Sequence, residues 1–147
     1  GILIDQFTKY AVFKMNIDLS TIWLLSKTTP AKNTGAAFSM LTNSTTFLTC
    51  TSIFISFLLI LFILVNKEKS CLHSLGISLL LAGTVGNGFD RIMLGYVRDF
   101  IELIPINFPI FNIADIMINI SILLLLIDSQ SRAKKGISKT INNNMPY

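Results

Sequence analysis

Residues 47–65, FLTCTSIFISFLLILFILV, hold no charge, no proline and no glycine. A run of about 20 such residues is the length that crosses the hydrocarbon core of a bilayer as a helix. No other feature limits the architecture as strongly. Lipid offers backbone N–H and C=O groups no partners, so it admits only helices and closed barrels. The rest of the 147 residues agree, with 52% hydrophobic, 14% charged and a mean hydropathy of +0.65. Soluble domains carry about a quarter charged residues. The composition is that of a polytopic membrane protein, and the length suits a single membrane-embedded domain over residues 1–147.

Three more apolar segments, over residues 1–15, 72–93 and 110–127, complete an expected all-α integral membrane fold of four transmembrane helices. The chain starts at Gly1 with an apolar run already under way, so a truncation inside the first helix is expected. Residues 16–46 form a connection without a long apolar run, in which Trp23 and its neighbours Ile22, Leu24 and Leu25 read as β-like or interfacial. Residues 66–70 are a tight polar turn. Residues 94–109, with Phe100, Ile101, Leu103 and Ile104 around Asp99, read as a short amphipathic piece lying on the membrane, broken by Pro105 and Pro109. Residues from about 131 to 147 read as a tail. In the third helix, Ala82, Gly83, Gly86 and Gly88 allow close helix approach.

The net charge of +4 is scattered, which argues against a nucleic-acid surface and for anchoring at a membrane face. Lys67, Lys69, Arg132, Lys134, Lys135 and Lys139 fall on one side of a four-helix topology. Lys14, Lys27, Lys32 and Arg98 fall on the other, with Arg91 at its edge. The positive-inside rule then puts the tail in the cytoplasm. Cys50 and Cys71 flank one helix at opposite bilayer surfaces, which excludes a disulfide between them and leaves them as small buried hydrophobes. His73 is the single histidine, so no histidine cluster exists for metal or triad chemistry.

Chemistry therefore has to come from the polar residues set into apolar segments. Asp5 and Lys9 share a helix face and form an ion pair that either neutralises both charges or braces a polar site. Asn33-Thr34-Gly35-Ala36-Ala37-Phe38-Ser39 is small enough to approach another group closely. Asn87 and Arg91 share a face at the end of the third helix, with Asp90 beside them. Asn112, Asp115 and Asn119 make one polar stripe on the fourth helix, which has to face protein or water. In this topology Asp5, Asn33, Asn87, Arg91, Asp99, Asn112 and Asp115 all lie toward the outer face. Two carboxylates brought together share one proton, one acting as base and the other as acid, which is the arrangement of an aspartic protease. Acids on transmembrane helices also serve proton-coupled transporters, and polar residues also act as glue in structural subunits.

The same blocks resemble those of the bacterial lipoprotein signal peptidases (signal peptidase II). Asp5-Gln6-Phe7-Thr8-Lys9 resembles the family's first motif, and Asn33-Thr34-Gly35-Ala36-Ala37 its Asn-x-Gly-Ala-Ala motif. Gly86-Asn87-Gly88-Phe89-Asp90-Arg91 with Gly95-Tyr96-Val97-Arg98-Asp99-Phe100 resembles the third, and Phe111-Asn112-Ile113-Ala114-Asp115 the last. One departure is Ala82, where the family often has the first glycine of a pair. The resemblance implies an aspartic endopeptidase of the bacterial inner (cytoplasmic) membrane, with its site toward the periplasmic or outer face. It implies cleavage of diacylglyceryl-modified prolipoproteins just before the lipid-modified cysteine. Asp99 and Asp115 match the catalytic dyad. Asp5, Lys9, Asn33, Gly35, Asn87, Asp90, Arg91 and Asn112 match polar positions around it, for substrate or for support. Arg91 is expected to hold lipid or a loop, and Asn87 with Arg91 to hold Asp99 or lipid ester carbonyls. The family fold adds a small extracytoplasmic β-cradle and a short interfacial helix, which map to residues 16–46 and 94–109. The expected partners are lipid-modified prolipoproteins and membrane lipid, with no cofactor, no metal, no nucleic acid and a monomeric chain.

Overall fold

Among the described residues, four helices and two strands follow one another as α1 (Ile2–Met15), β1 (Ser26–Asn33), α2 (Thr45–Val65), α3 (Cys71–Leu94), β2 (Val97–Leu103) and α4 (Ile113–Asn143). The structure, a computed structural model, describes residues 1–19, 26–36, 41, 44–66, 70–104 and 106–143, with side chains through residue 134. Trp23 with its apolar neighbours, the 37–39 end of the small-residue segment and most of the 66–70 turn lie outside the described residues.

Among the described residues three helices, Thr45–Val65, Cys71–Leu94 and Ile113–Lys134, are long and apolar enough to cross a membrane. The 14 residues of α1 extend only about 21 Å. No residue of α2 is buried inside the protein. One side of α2 packs on α3, where Ser52 meets Gly88, and the rest of this apolar helix is uncovered and needs apolar surroundings, which lipid supplies. Cys50, on α2, and Cys71, at the start of α3, are free. Both are exposed instead of buried, because the helix surfaces that carry them face outward.

Close packing joins α3 to α4. A Cβ on Gly83 would lie 2.6 Å from the Ala114 carbonyl oxygen, and one on Gly86 would lie 2.6 Å from Asp5 Oδ2. Bare backbone at these two positions lets α4 and the polar face of α1 reach α3. Gly95 ends α3 at φ 80, left-handed backbone that suits glycine, and returns its N–H to the Arg91 carbonyl.

The chain then runs directly into β2, and here the expected surface-lying amphipathic piece is corrected. Residues 97–103 form a strand, antiparallel to β1 from Ser26↔Leu103 to Asn33↔Val97. A short mixed run such as Val97-Arg98-Asp99-Phe100-Ile101 is ambiguous between helix and strand, and pairing with β1 decides it. The ladder slips between Thr28 and Ala31, around Pro30, which has no N–H to donate. Beyond β2, the Phe111 carbonyl accepts from the N–H groups of Phe100 and Ile101, and Phe111 donates to the Ile101 carbonyl. Val12, Phe100 and Ile101 are buried together, with Phe13, Phe111, Ile113 and Ile116 against them. This core fixes α1, the sheet and the start of α4. Helix α4 continues through residues 128–143, well past the expected end, so much of the expected tail is helical.

Candidate active site

Asp115 belongs to the first turn of α4, and the helix start sets its geometry. The Asn112 side chain accepts from the Asp115 N–H at 3.1 Å, while Asp115 Oδ2 accepts from the Asn112 N–H at 3.1 Å. This reciprocal capping satisfies backbone donors that a helix start leaves unpaired. Asp5 completes it by accepting from the Ala114 N–H at 3.0 Å.

Asp99 lies on β2, which the Phe111 bridge holds against the segment leading into α4. Asn112 therefore faces Asp99, and its amide donates to Asp99 Oδ1 at 2.6 Å. Asn33, at the end of β1, donates to Asp99 Oδ2 at 2.9 Å. Asn87 on α3 donates to Asp115 Oδ1 at 2.8 Å and accepts from Asn112 Nδ2 at 3.1 Å. Asn112 thus touches both carboxylates. Asp99 is buried and Asp115 half-buried, so the pair opens to one side. Burial, and then the negative charge of Asp115, push Asp99 up to about 6, against the pull of the Asn33 and Asn112 amides and of Lys9.

A charge-balanced layer lies behind the pair. Lys9, Asp5 and Asp90 are fully buried. Lys9 Nζ lies 2.9 Å from Asp5 Oδ2 and 3.3 Å from Asp90 Oδ2, and donates to Asn87 Oδ1 at 2.9 Å. Arg98 grips Asp90 with its backbone N–H at 3.0 Å and with Nη2 at 2.7 Å. Gln6 accepts from Arg98 at 2.8 Å and donates to Asp5 at 3.0 Å. Buried ions survive in apolar surroundings only when paired and hydrogen-bonded, as these are.

The family model for signal peptidase (SPase) II matches residues 1–131. The chain belongs to this peptidase family. A protein named lipoprotein signal peptidase in Parasynechococcus marenigrum is 38% identical over 130 residues, covering 86% of this chain and 82% of that one. One of the same name in Synechocystis is 43% identical over 131 residues, covering 86% and 80%. A solved structure described as a bacterial membrane enzyme superposes with a TM-score of 0.77 at 30% identity, covering 99% of this chain and 87% of that one. The chain is thus a membrane-protein member of a peptidase family, and the comparisons give the transporter alternative no support.

The fold brings every singled-out polar residue except Asn119 into one hydrogen-bonded chain. It runs from Asp5, Lys9 and Asp90 through Asn87 to Asp115, and on through Asn112, Asp99 and Asn33. Gly35 joins because its N–H donates to Asn33 Oδ1 at 2.9 Å, and Arg91 joins because Nη2 donates to the Gly35 carbonyl at 2.9 Å. Arg91 thus ties down the turn after β1. Asn87, expected to hold Asp99 or lipid ester carbonyls, meets Asp115, because it lies beside the first turn of α4. Asn119 is exposed and stands outside the site, about 10 Å along the helix from Asn112. Sequence reasoning assigned Gln6 and Arg98 no role here, although each directly adjoins a buried acid in sequence. It also passed over Asp128, buried midway along α4. Asp128 accepts from the Ser70 hydroxyl, lies 3.3 Å from His73 Nδ1 and pairs with Arg132 at 2.7 Å. Among the described residues no group of three or more His, Cys, Asp or Glu side chains is placed to hold a metal ion.

Proposed function

We propose that this chain is an aspartic endopeptidase that removes signal peptides from lipoprotein precursors, with Asp99 and Asp115 as its catalytic dyad. The observation that carries the reading is Asn112, which donates to Asp99 at 2.6 Å and to Asp115 at 3.1 Å. Two carboxylates held by one residue in a partly dry site do not both ionise comfortably, so they keep one proton between them and titrate as a unit.

The ionised member takes a proton from water as that water attacks the scissile carbonyl carbon. The protonated member donates to the carbonyl oxygen as negative charge develops there. Collapse of the tetrahedral intermediate breaks the C–N bond, and the leaving nitrogen takes a proton from the dyad. Asn33, Asn87 and Asn112 hold the carboxylates in position throughout. Asp5, Lys9 and Asp90 brace the asparagines, and Arg91 holds the Gly35 turn against them.

The proposed substrate is a prolipoprotein carrying diacylglycerol on a cysteine, cut on the N-terminal side of that cysteine. Each buried CH₂ of its acyl chains is worth about 0.8 kcal/mol, so the modified peptide stays at the membrane, level with the helix ends. The proposed topology has four spans in the bacterial inner membrane, α1 among them. The end of α4 is cytoplasmic and the dyad lies at the outer face. The working form is a monomer without a cofactor.

The test uses the purified protein with a diacylglyceryl-modified precursor and its unmodified counterpart, and mass spectrometry to locate the cut. Cleavage directly before the lipid-modified cysteine, with the unmodified precursor spared, is expected. Equal turnover of both precursors, or a cut elsewhere, overturns the substrate assignment.

A further inference from the structure

We propose that Lys9 is a positioning residue that acts through Asn87, locking its amide so that it only ever donates to Asp115. The inference rests on the reading of Asp115 as one half of the dyad. Lys9 does not contact either dyad carboxylate. Its ammonium carries three N–H donors and no acceptor, and it has three acceptors, Asp5 Oδ2, Asn87 Oδ1 and Asp90 Oδ2. The oxygen of Asn87 is therefore the atom turned toward Lys9, and its second partner is Asn112 Nδ2 at 3.1 Å. The amide nitrogen is left facing Asp115 Oδ1 at 2.8 Å. A half-turn of this amide would set nitrogen against the Lys9 ammonium and oxygen against Asp115.

The three partners of Asn87 are not equivalent during turnover. Asp115 exchanges a proton with the reacting groups, and its protonated form can donate to an amide oxygen. Asn112 is itself held with its oxygen on the Asp115 N–H at 3.1 Å, and its Nδ2 is shared between Asn87 and Asp99, whose own protonation changes. Lys9 is a cation with no acceptor, so it cannot change from donor to acceptor, and its N–H is not shared with a dyad carboxylate. It keeps the amide facing one way in every protonation state of the pair, so that the donor is in place each time Asp115 becomes ionised. This gives the buried Asp5–Lys9 pair a use beyond charge neutralisation: Asp5 and Asp90 hold the ammonium where Asn87 needs it.

Removing Lys9 alone would leave two buried acids short of a cation, so the test uses the double variant Lys9→Met/Asp5→Asn, which conserves net charge. An oxygen remains at position 5 to cap Ala114, and Arg98 still pairs with Asp90. The full chain is assayed on lipid-modified precursor for kcat and KM separately, in the native and Asn87→Ala backgrounds. The expected result is a kcat about tenfold or more lower with KM unchanged in the native background, and little further loss in the Asn87→Ala background. A kcat within about twofold of the native value, or full multiplication of the two losses, overturns the proposal.

Asn87→Asp is a second arm that does not depend on how well the double variant folds. It keeps an oxygen for Lys9 and Asn112 but presents no donor to Asp115. A folded Asn87→Asp protein is expected to lose at least about tenfold in kcat, and native kcat in that protein also overturns the proposal. Asp115→Asn runs alongside. If Asp115→Asn retains activity, the dyad reading itself fails. If only Asp115→Asn is inactive, the dyad stands and the role of Lys9 falls.

Discussion

Burial beside a second carboxylate ties Asp99 to the pH dependence of folding. Its pKa lies near 6 in the folded chain, against an ordinary value of 3.8. Between these values the folded state keeps a proton that the unfolded chain has released, so stability falls as pH rises through that window. Above it, Asp99 costs the fold about 3 kcal/mol. Asp99→Asn should flatten the dependence of the thermal midpoint on pH between 4 and 6, and an unchanged slope would remove Asp99 as its source. Because Asp115 supplies part of the upward push, Asp115→Asn should also lower the Asp99 midpoint in a carboxyl titration followed by infrared spectroscopy. At this scale much of the site was legible in the sequence. An Asp or Asn in an apolar helix has few places to be except against another polar group, so Asp5, Asn87, Asn112 and Asp115 stood out. Gln6 and Arg98 did not, since a long side chain ending in an amide or a cation equally reaches water. Asn119 shares the helical face of Asp115 but lies too far along the axis, a distance that angular periodicity does not record.

At the level of elements, the helices were readable and the sheet was not. The apolar runs fix α2, α3 and the first half of α4 by length alone. In contrast, β1 is the sequence Ser26-Lys27-Thr28-Thr29-Pro30-Ala31-Lys32-Asn33, with no apolar alternation and a proline inside it. It is a strand because β2 lies beside it, and neither strand signals itself without the other. The α3–α4 contact gives a direct test of how elements place the site. Gly83→Ala puts a methyl group into the Ala114 carbonyl, where backbone has to move. About 1–3 kcal/mol of stability should be lost, and kcat should fall because Ala114 adjoins Asp115. A native melting temperature in this variant would mean that the helices are less tightly joined than described. Midway along α4, Asp128→Ala leaves Ser70, His73 and Arg132 without their shared acceptor. It should lower stability by about 1–3 kcal/mol and leave kcat within about twofold, since the dyad lies about 20 Å away along the helix. A larger loss of kcat would show coupling between Asp128 and the site.

Across the whole molecule, the parts combine to put a balanced set of charges out of water, where apolar surroundings would support none of them singly. Helix α1 brings Asp5, Gln6 and Lys9; α3 brings Asn87, Asp90 and Arg91; the sheet brings Asn33, Arg98 and Asp99; α4 brings Asp115 just after Asn112. Each acid behind the site meets a cation, and each dyad oxygen meets an amide or backbone donor. In the proposed function this framework holds Asp99 and Asp115 for peptide hydrolysis. The most direct test is turnover of a diacylglyceryl-modified precursor by the native chain, Asp99→Asn and Asp115→Asn, all verified as folded. The account predicts cleavage by the native protein and a loss of about 100-fold or more in each variant. Near-native turnover in either folded variant would contradict it.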